Sequence, residues 1–293
     1  MAVLSEEQTM LRDMAREWTT NESPVTAFRK FRDLAPACGY DANAFKTMAE
    51  MGWAGIVIPE KFGGSDFGWL SLGLVLEETA KTLTASPLAS SALAASALVL
   101  GGSDGAKAAW LPKLASGEAV GTLAIDEGPR HNPAAIATTA TKAGDGWTLS
   151  GTKAFVHEAH GAALFIVAAQ TEGGIGVFAV PADAAGLSLA TRKLTDSRSH
   201  AHVTLANVKV GADAHLGGSD LLDRLLDRAR IVTAAEMLGL AEHSFGVTLD
   251  YLKQRVQFGQ ILATFQALQH RMAELFTRIE LMRTDVEAAL AAL

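Results

Sequence analysis

From Phe265 onward the apolar residues fall at Phe265, Leu268, Met272, Leu275, Ile279, Met282 and Val286. This alternation of three- and four-residue steps marks one face of a long helix. The spacing predicts a helix from about Thr264 to the last residue, about 45 Å long at ~1.5 Å per residue. Phe276, Leu281 and Leu290 add apolar surface off that seam. A second long amphipathic stretch, Asp220–Leu252, precedes it, and two helices cannot bury so much surface alone. Glu287-Ala-Ala-Leu-Ala-Ala-Leu293 contains no Gly, Asn or Pro to stop the helix. Three readings fit: a chain that continues beyond Leu293, a partner subunit that completes the bundle, or a short form.

Toward the N-terminus, Ser5 with Gln8 three residues on forms a capping-box start. Helical spacing then recurs in Asp41–Met51, Leu70–Leu83, Leu88–Val99 and Ala106–Leu114, punctuated by Gly and Pro. Between about 118 and 212 the texture changes to short β-prone runs: Thr138–Lys142, Trp147–Leu149, Ala163–Ala169, Ile175–Val180, Leu187–Ala190 and Val203–Leu205. Ala143-Gly-Asp-Gly and Glu172-Gly-Gly join neighbouring runs as hairpin turns. The pattern predicts an α+β chain. An N-terminal helical domain (1–117), a central antiparallel β-barrel or sandwich (118–212) and a C-terminal helix bundle (213–293), incomplete as given, are expected.

Composition narrows the function. Of 293 residues, 49% are hydrophobic and 19% charged, a globular profile. A net charge of −7 argues against a nucleic-acid partner. Cys38 is the sole cysteine, which excludes internal disulfides and suits a reducing cytoplasm. No stretch approaches the ~20 consecutive apolar residues of a membrane span, and Met1-Ala-Val-Leu-Ser-Glu-Glu has no signal-peptide pattern.

The most informative segment is Arg255-Val-Gln-Phe-Gly-Gln-Ile-Leu-Ala-Thr-Phe-Gln-Ala-Leu-Gln269, a turn centred on Gly259 between the two long helices. Taken alone, Arg255 reads as a helix C-cap and Phe258 as core. With Gln257, Gly259, Phe265 and Gln266 in register, the segment resembles the acyl-CoA dehydrogenase family. That resemblance implies FAD, an acyl-CoA substrate, and a homodimer, homotetramer or heteromer with a related subunit. It implies that Arg255 neutralises a flavin diphosphate held mainly by the neighbouring subunit, with Gln257 and Phe258 beside it. Phe265 and Gln266 match positions at the adenosine end.

Upstream, Asp227-Arg-Ala-Arg230 resembles the family's substrate-facing helix, so Asp227 and Arg230 are expected near the acyl-CoA, against the alternative of a solvated charged face. Ala229 occupies the position where some members carry the catalytic base, which places a base, if this subunit is catalytic, beyond Leu293. In the middle region Ile125 and His131 replace a Thr and a Ser of the family pattern, and Phe155 and His157 replace the Trp and Thr of the GxKxWIT segment. Phe can still stack on a ring and His can donate a hydrogen bond, but Ile125 can do neither. Two functions follow: an FAD-dependent acyl-CoA dehydrogenase subunit forming an α,β double bond, or a non-catalytic partner completing a neighbour's FAD site. The altered ring-side positions resemble the heteromeric type of bacterial sterol side-chain degradation. Other signals are weak. His200 and His202 share a strand face without a third ligand, and Ser197 and Ser199 lack a nucleophile-elbow context.

Overall fold

The computed structural model describes residues 3–36, 38–196 and 198–293, so Ser197 lies outside the described residues. The helices are α1 (Glu6–Asn21), α2 (Val25–Leu34), α3 (Ala42–Glu50), α4 (Gly68–Lys81), α5 (Leu88–Gly101), α6 (Asp104–Ala115), α7 (Ser219–Gln254) and α8 (Gln266–Ala291). The strands are β1 (Gly121–Ala124), β2 (Thr139–Ala143), β3 (Gly146–His157), β4 (Leu164–Thr171), β5 (Gly174–Pro181), β6 (Leu187–Lys193), β7 (Ser199–Val210), β8 (His215–Gly217), β9 (Val256–Gln257) and β10 (Gln260–Ile261). No helix of the described residues is long and apolar enough to cross a membrane. The chain divides into two compact units, with one boundary inside α7 after Ala229.

The first unit joins Met1–Val25, Gly68–Thr84 and Arg230–Leu293, and holds α1, α4, most of α7 and α8. The capping box at α1 forms as expected: the Ser5 hydroxyl accepts from the Gln8 amide, and the Gln8 side chain accepts from the Ser5 amide, each at 3.1 Å. Two glycines set the helix spacing. A β-carbon on Gly239 of α7 would stand 2.1 Å from the Glu77 carbonyl oxygen of α4, and one on Gly73 would stand 2.2 Å from Leu290 of α8. The α7 and α4 backbones approach at Gly239, and the Leu290 side chain seats on Gly73, because nothing projects from either glycine.

An ion-pair network then fixes the four helices. Arg283 reaches Glu77 at 2.7 Å and Glu242 at 3.1 Å, Lys81 reaches Glu242 at 2.6 Å and Glu78 at 3.0 Å, and Arg16 reaches Glu78 at 3.0 Å. Burial works to raise the Glu242 carboxyl, but the Lys81 ammonium and Arg283 override it and hold it down at about 2. Burial wins at Glu77 and pushes that carboxyl up despite Arg283 and Lys81. On α8 the expected seam is only partly covered: Ile279 and Val286 are buried, whereas Leu275 and Met282 remain exposed. These two line an apolar groove of ≈ 340 Å³ with Ala241, Ser244, Phe245 and Thr248 of α7.

The second unit, Thr26–Phe67 with Ala85–Ala229, contains an eight-stranded sheet in the order β6-β7-β3-β2-β4-β5-β8, with β1 also on β4. Strand β4 is central and buried on both faces. Leu164, Ile166 and Ala168 pack with Ala94, Leu98, Leu111 and Leu225 of the helices, and Phe165, Val167 and Ala169 pack with Leu149, Val203 and Leu205 of β3 and β7. The two-residue alternation of a strand separates the two cores. The β2–β3 and β4–β5 hairpins turn where the sequence predicts, closing at Ala143↔Gly146 and Thr171↔Gly174.

The α+β class holds, and one refinement is required. The sheet is mixed and does not close into a barrel: β1 and β2 both run parallel to β4. The reason is the segment 125–138, which crosses between β1 and β2 instead of turning back as a hairpin. Sequence reading also missed α2, a short helix that buries only Phe31, and the short strands β1, β8, β9 and β10.

Candidate functional site

In the first unit the residues of interest lie on the elbow between α7 and α8. The Arg255 amide continues the helix by donating to the Tyr251 carbonyl at 2.9 Å, and its own carbonyl accepts from Leu262 at 2.8 Å. Strands β9 and β10 pair antiparallel across Phe258-Gly259, whose φ values are +54° and +77°. Two successive positive φ values characterise the mirror-image turn that suits a two-residue hairpin. Glycine adopts this freely, but phenylalanine does so at a cost of about 1–2 kcal/mol. The strained residue is also openly displayed: Phe258 is 87% exposed, with its ring edge-on to Phe265 at 6.2 Å. Arg255, Gln257 and Gln266 are exposed, and among the described residues the Arg255 guanidinium has no ion-pair partner. The elbow thus presents a cation, two amides and an aromatic face outward, a surface suited to an anion with an attached ring system.

Farther up α7, Asp227 and Arg230 are exposed and one turn apart. Between them Arg228, which sequence reading passed over, is half-buried and donates to the Ser96 hydroxyl of α5. Desolvation, then Arg224, lowers its affinity for a proton. Ala229 offers no acid or base.

In the second unit the residues Ile125, His131, Phe155 and His157 belong to two adjoining segments. Lys153 of β3 has a fully buried side chain, and its ammonium donates to the Ile125 carbonyl at 3.0 Å and to Glu127 at 2.6 Å. Glu127 also accepts from the amides of Ala137 at 2.7 Å and Thr138 at 2.9 Å. Burial works to raise the Glu127 carboxyl, and the Lys153 and Thr138 hydrogen bonds override it and hold it below the ordinary range. Burial lowers Lys153, with Glu127 opposing. Asp126 binds the other half of the loop, meeting His131 Nδ1 at 2.8 Å and the Asn132 amide at 2.9 Å. His131 is therefore oriented by a carboxylate, with its ring more than half exposed.

Strand β3 carries an irregularity between Lys153 and Val156, where Phe155 takes φ +52° and stacks edge-on with His202 at 5.1 Å. The next cross-strand pair puts the His157 ring 4.3 Å from that of buried His200. His200 and His202 thus face aromatic rings, and among the described residues no group of three His, Cys, Asp or Glu could hold a metal. Glu158, fully buried, pairs with Arg198 and accepts from the Ser90 hydroxyl at 2.6 Å. Sequence reading missed Glu127, Glu158 and Lys153 as organising groups. The available signal was a lysine inside a strand whose neighbours face the core, since a buried ammonium demands a paired carboxylate.

Comparison with known proteins adds three family-model matches: the acyl-CoA dehydrogenase N-terminal domain over residues 5–118, middle domain over 125–208 and C-terminal domain over 217–293. The short/branched chain specific acyl-CoA dehydrogenase of Bos taurus is 33% identical over 258 residues, covering 83% of this chain, and the chain spans 60% of that relative's length. A solved variant of the Tcur3481-Tcur3483 steroid ACAD superposes with a TM-score of 0.91 at 35% identity, covering 98% of this chain and 78% of that one. The ChsE4-ChsE5 complex from Mycobacterium tuberculosis superposes with a TM-score of 0.90 at 27% identity, covering 99% of this chain and 79% of that one.

Proposed function

Because the chain belongs to the acyl-CoA dehydrogenase family, we propose that it serves as a flavin-dependent subunit in forming an α,β double bond in an acyl-CoA thioester. The observation that carries this reading is the exposed elbow, with its unpaired guanidinium, displayed ring and adjacent amides. FAD, when bound, supplies the hydride acceptor, and the protein supplies binding and geometry. Arg255 would neutralise the diphosphate of an FAD seated mainly on an adjoining subunit, Gln257 would donate a hydrogen bond, and Phe258 would cover the contact. Phe265 and Gln266 would meet the adenosine end. Phe155 would lie against the flavin ring, His157 and His131 would offer hydrogen bonds to it, and Ile125 would only exclude water. Asp227 and Arg230 would adjoin the acyl-CoA. Abstraction of the α-proton needs a carboxylate, and we assign none of the described residues to it.

We place the protein in the cytoplasm as a homodimer, homotetramer or heteromer, divided functionally into 1–117, 118–212 and 213–293. A second reading, a non-catalytic subunit that lends its elbow to a partner's FAD, is favoured by Ile125, whose side chain cannot hydrogen-bond to a flavin. The similar steroid ACAD supports a ring-bearing acyl group, and the ChsE4-ChsE5 complex supports a heteromer. Purification with natural partners, followed by absorption spectroscopy and FAD titration, tests the proposal. A yellow protein that bleaches on adding acyl-CoA is expected, and a colourless one that takes up no FAD overturns it. Flavin held only in the presence of a different subunit selects the second reading.

A further inference from the structure

We infer that the buried Lys153–Glu127 pair is the positioning element of the flavin-ring half-site, fixing the 125–138 segment against strand β3. The inference rests on the functional reading above.

The 125–138 segment has no helix or strand of its own, so its shape rests on side-chain bonds and a few isolated backbone bonds. Three consecutive residues bind to two on β3: the Ile125 carbonyl and Glu127 carboxylate to the Lys153 ammonium, and the Asp126 carbonyl to the Ala154 amide at 2.7 Å. From that seat the two carboxylates reach forward. Asp126 orients His131 and caps Asn132, and Glu127 gathers the amides of Ala137 and Thr138. On the strand side, Lys153 immediately precedes the irregularity that turns Phe155 into the left-handed region and leads to His157. Each of the four ring-side candidates is therefore within a few residues of one ammonium.

Filling a buried volume does not require a charge, because an apolar residue of similar size fills it at no desolvation cost. What the charge adds is direction: it draws one carbonyl and one carboxylate of a loop to a single point on a strand. Ligand-contacting groups tolerate displacements of only about 0.5 Å, so such an anchor governs them without touching the ligand.

The test uses the full-length protein with its natural partners, loaded with FAD, in three forms: unsubstituted, Lys153→Arg, and the double variant Lys153→Met with Glu127→Gln. The double variant leaves no buried charge unpaired and keeps one side-chain oxygen for the Thr138 amide, while the Ala137 amide loses its acceptor, so it is expected to fold and to melt somewhat below the unsubstituted protein. Its FAD should bind roughly tenfold or more weakly, the size typical of lost outer support around a ligating group. Its visible absorption band and circular dichroism should also shift. Lys153→Arg still donates to Glu127 but needs more room, so a smaller shift of the same kind is expected, and it carries the test alone if the double variant does not fold. Unaltered FAD affinity and spectrum in whichever variant folds overturn the inference while leaving the functional reading intact. An unsubstituted protein that binds no FAD brings down the reading and the inference together.

Discussion

The elbow at 255–266 and the segment at 125–157 solve opposite problems. The elbow leaves its charge without an ion-pair partner among the described residues, exposes its largest ring and holds that ring on a strained backbone. The 125–157 segment buries its charge, pairs it at 2.6 Å and satisfies the carboxylate with two further amides. A surface of the first kind loses little by being altered in the free chain and much when a ligand is present. One of the second kind loses stability first, because breaking a buried pair strands the remaining ion. Stability and binding should therefore separate cleanly between the two.

The sharpest challenge to this contrast is Lys153→Met alone, which leaves Glu127 buried without its cation. A loss of about 3–5 kcal/mol in denaturant unfolding is expected. A loss under about 1 kcal/mol would mean the segment is not held by that pair. Next in size is Arg255→Ala. Unfolding should change by less than about 0.5 kcal/mol, as for an exposed side chain. FAD affinity in the assembled protein should fall by about 1.5–3 kcal/mol, the range of hydrogen bonds to charged groups, read by titration. A smaller effect comes from pH. The Glu127 carboxyl sits below its unfolded value, so the unfolded chain binds more protons in the acid range and stability rises with pH there. Its contribution should be complete above about pH 5 and fade as pH falls through the folded value, a loss that Glu127→Gln should abolish. The smallest is Phe258→Gly, which relieves the left-handed strain and should raise stability by up to about 1 kcal/mol while weakening FAD binding. Unchanged stability would show that the Phe265 contact already offsets the strain.

Much of the architecture could be read from periodicity. The capping box at Ser5, the two long helices and the hairpin turns at Gly144 and Gly173 rest on local rules, and the structure keeps them. Parallel pairing of β1 and β2 with β4 was not legible, because four residues of Gly-Thr-Leu-Ala carry no strand signature and direction depends on a crossover path. The site divided in the same way. Arg255, Phe258 and Gly259 stood out because a spaced motif on a turn is a local pattern. The acids that organise the middle segment did not, since the pairing of Glu127 with Lys153, and of Glu158 with Arg198, spans 26 and 40 residues. Exposure of Leu275 and Met282 was equally hidden, as spacing fixes a face and says nothing of what covers it.

Arg283 grips Glu77 and Glu242 at once, so α8 cannot slip by a turn without surrendering both. Phe265 stands at the head of that same rod, about 27 Å away at ~1.5 Å per residue. If the elbow binds FAD as proposed, a substitution deep among those carboxylates would be felt as a displaced grip on the nucleotide, and would be mistaken for a contact mutant by anyone watching binding alone.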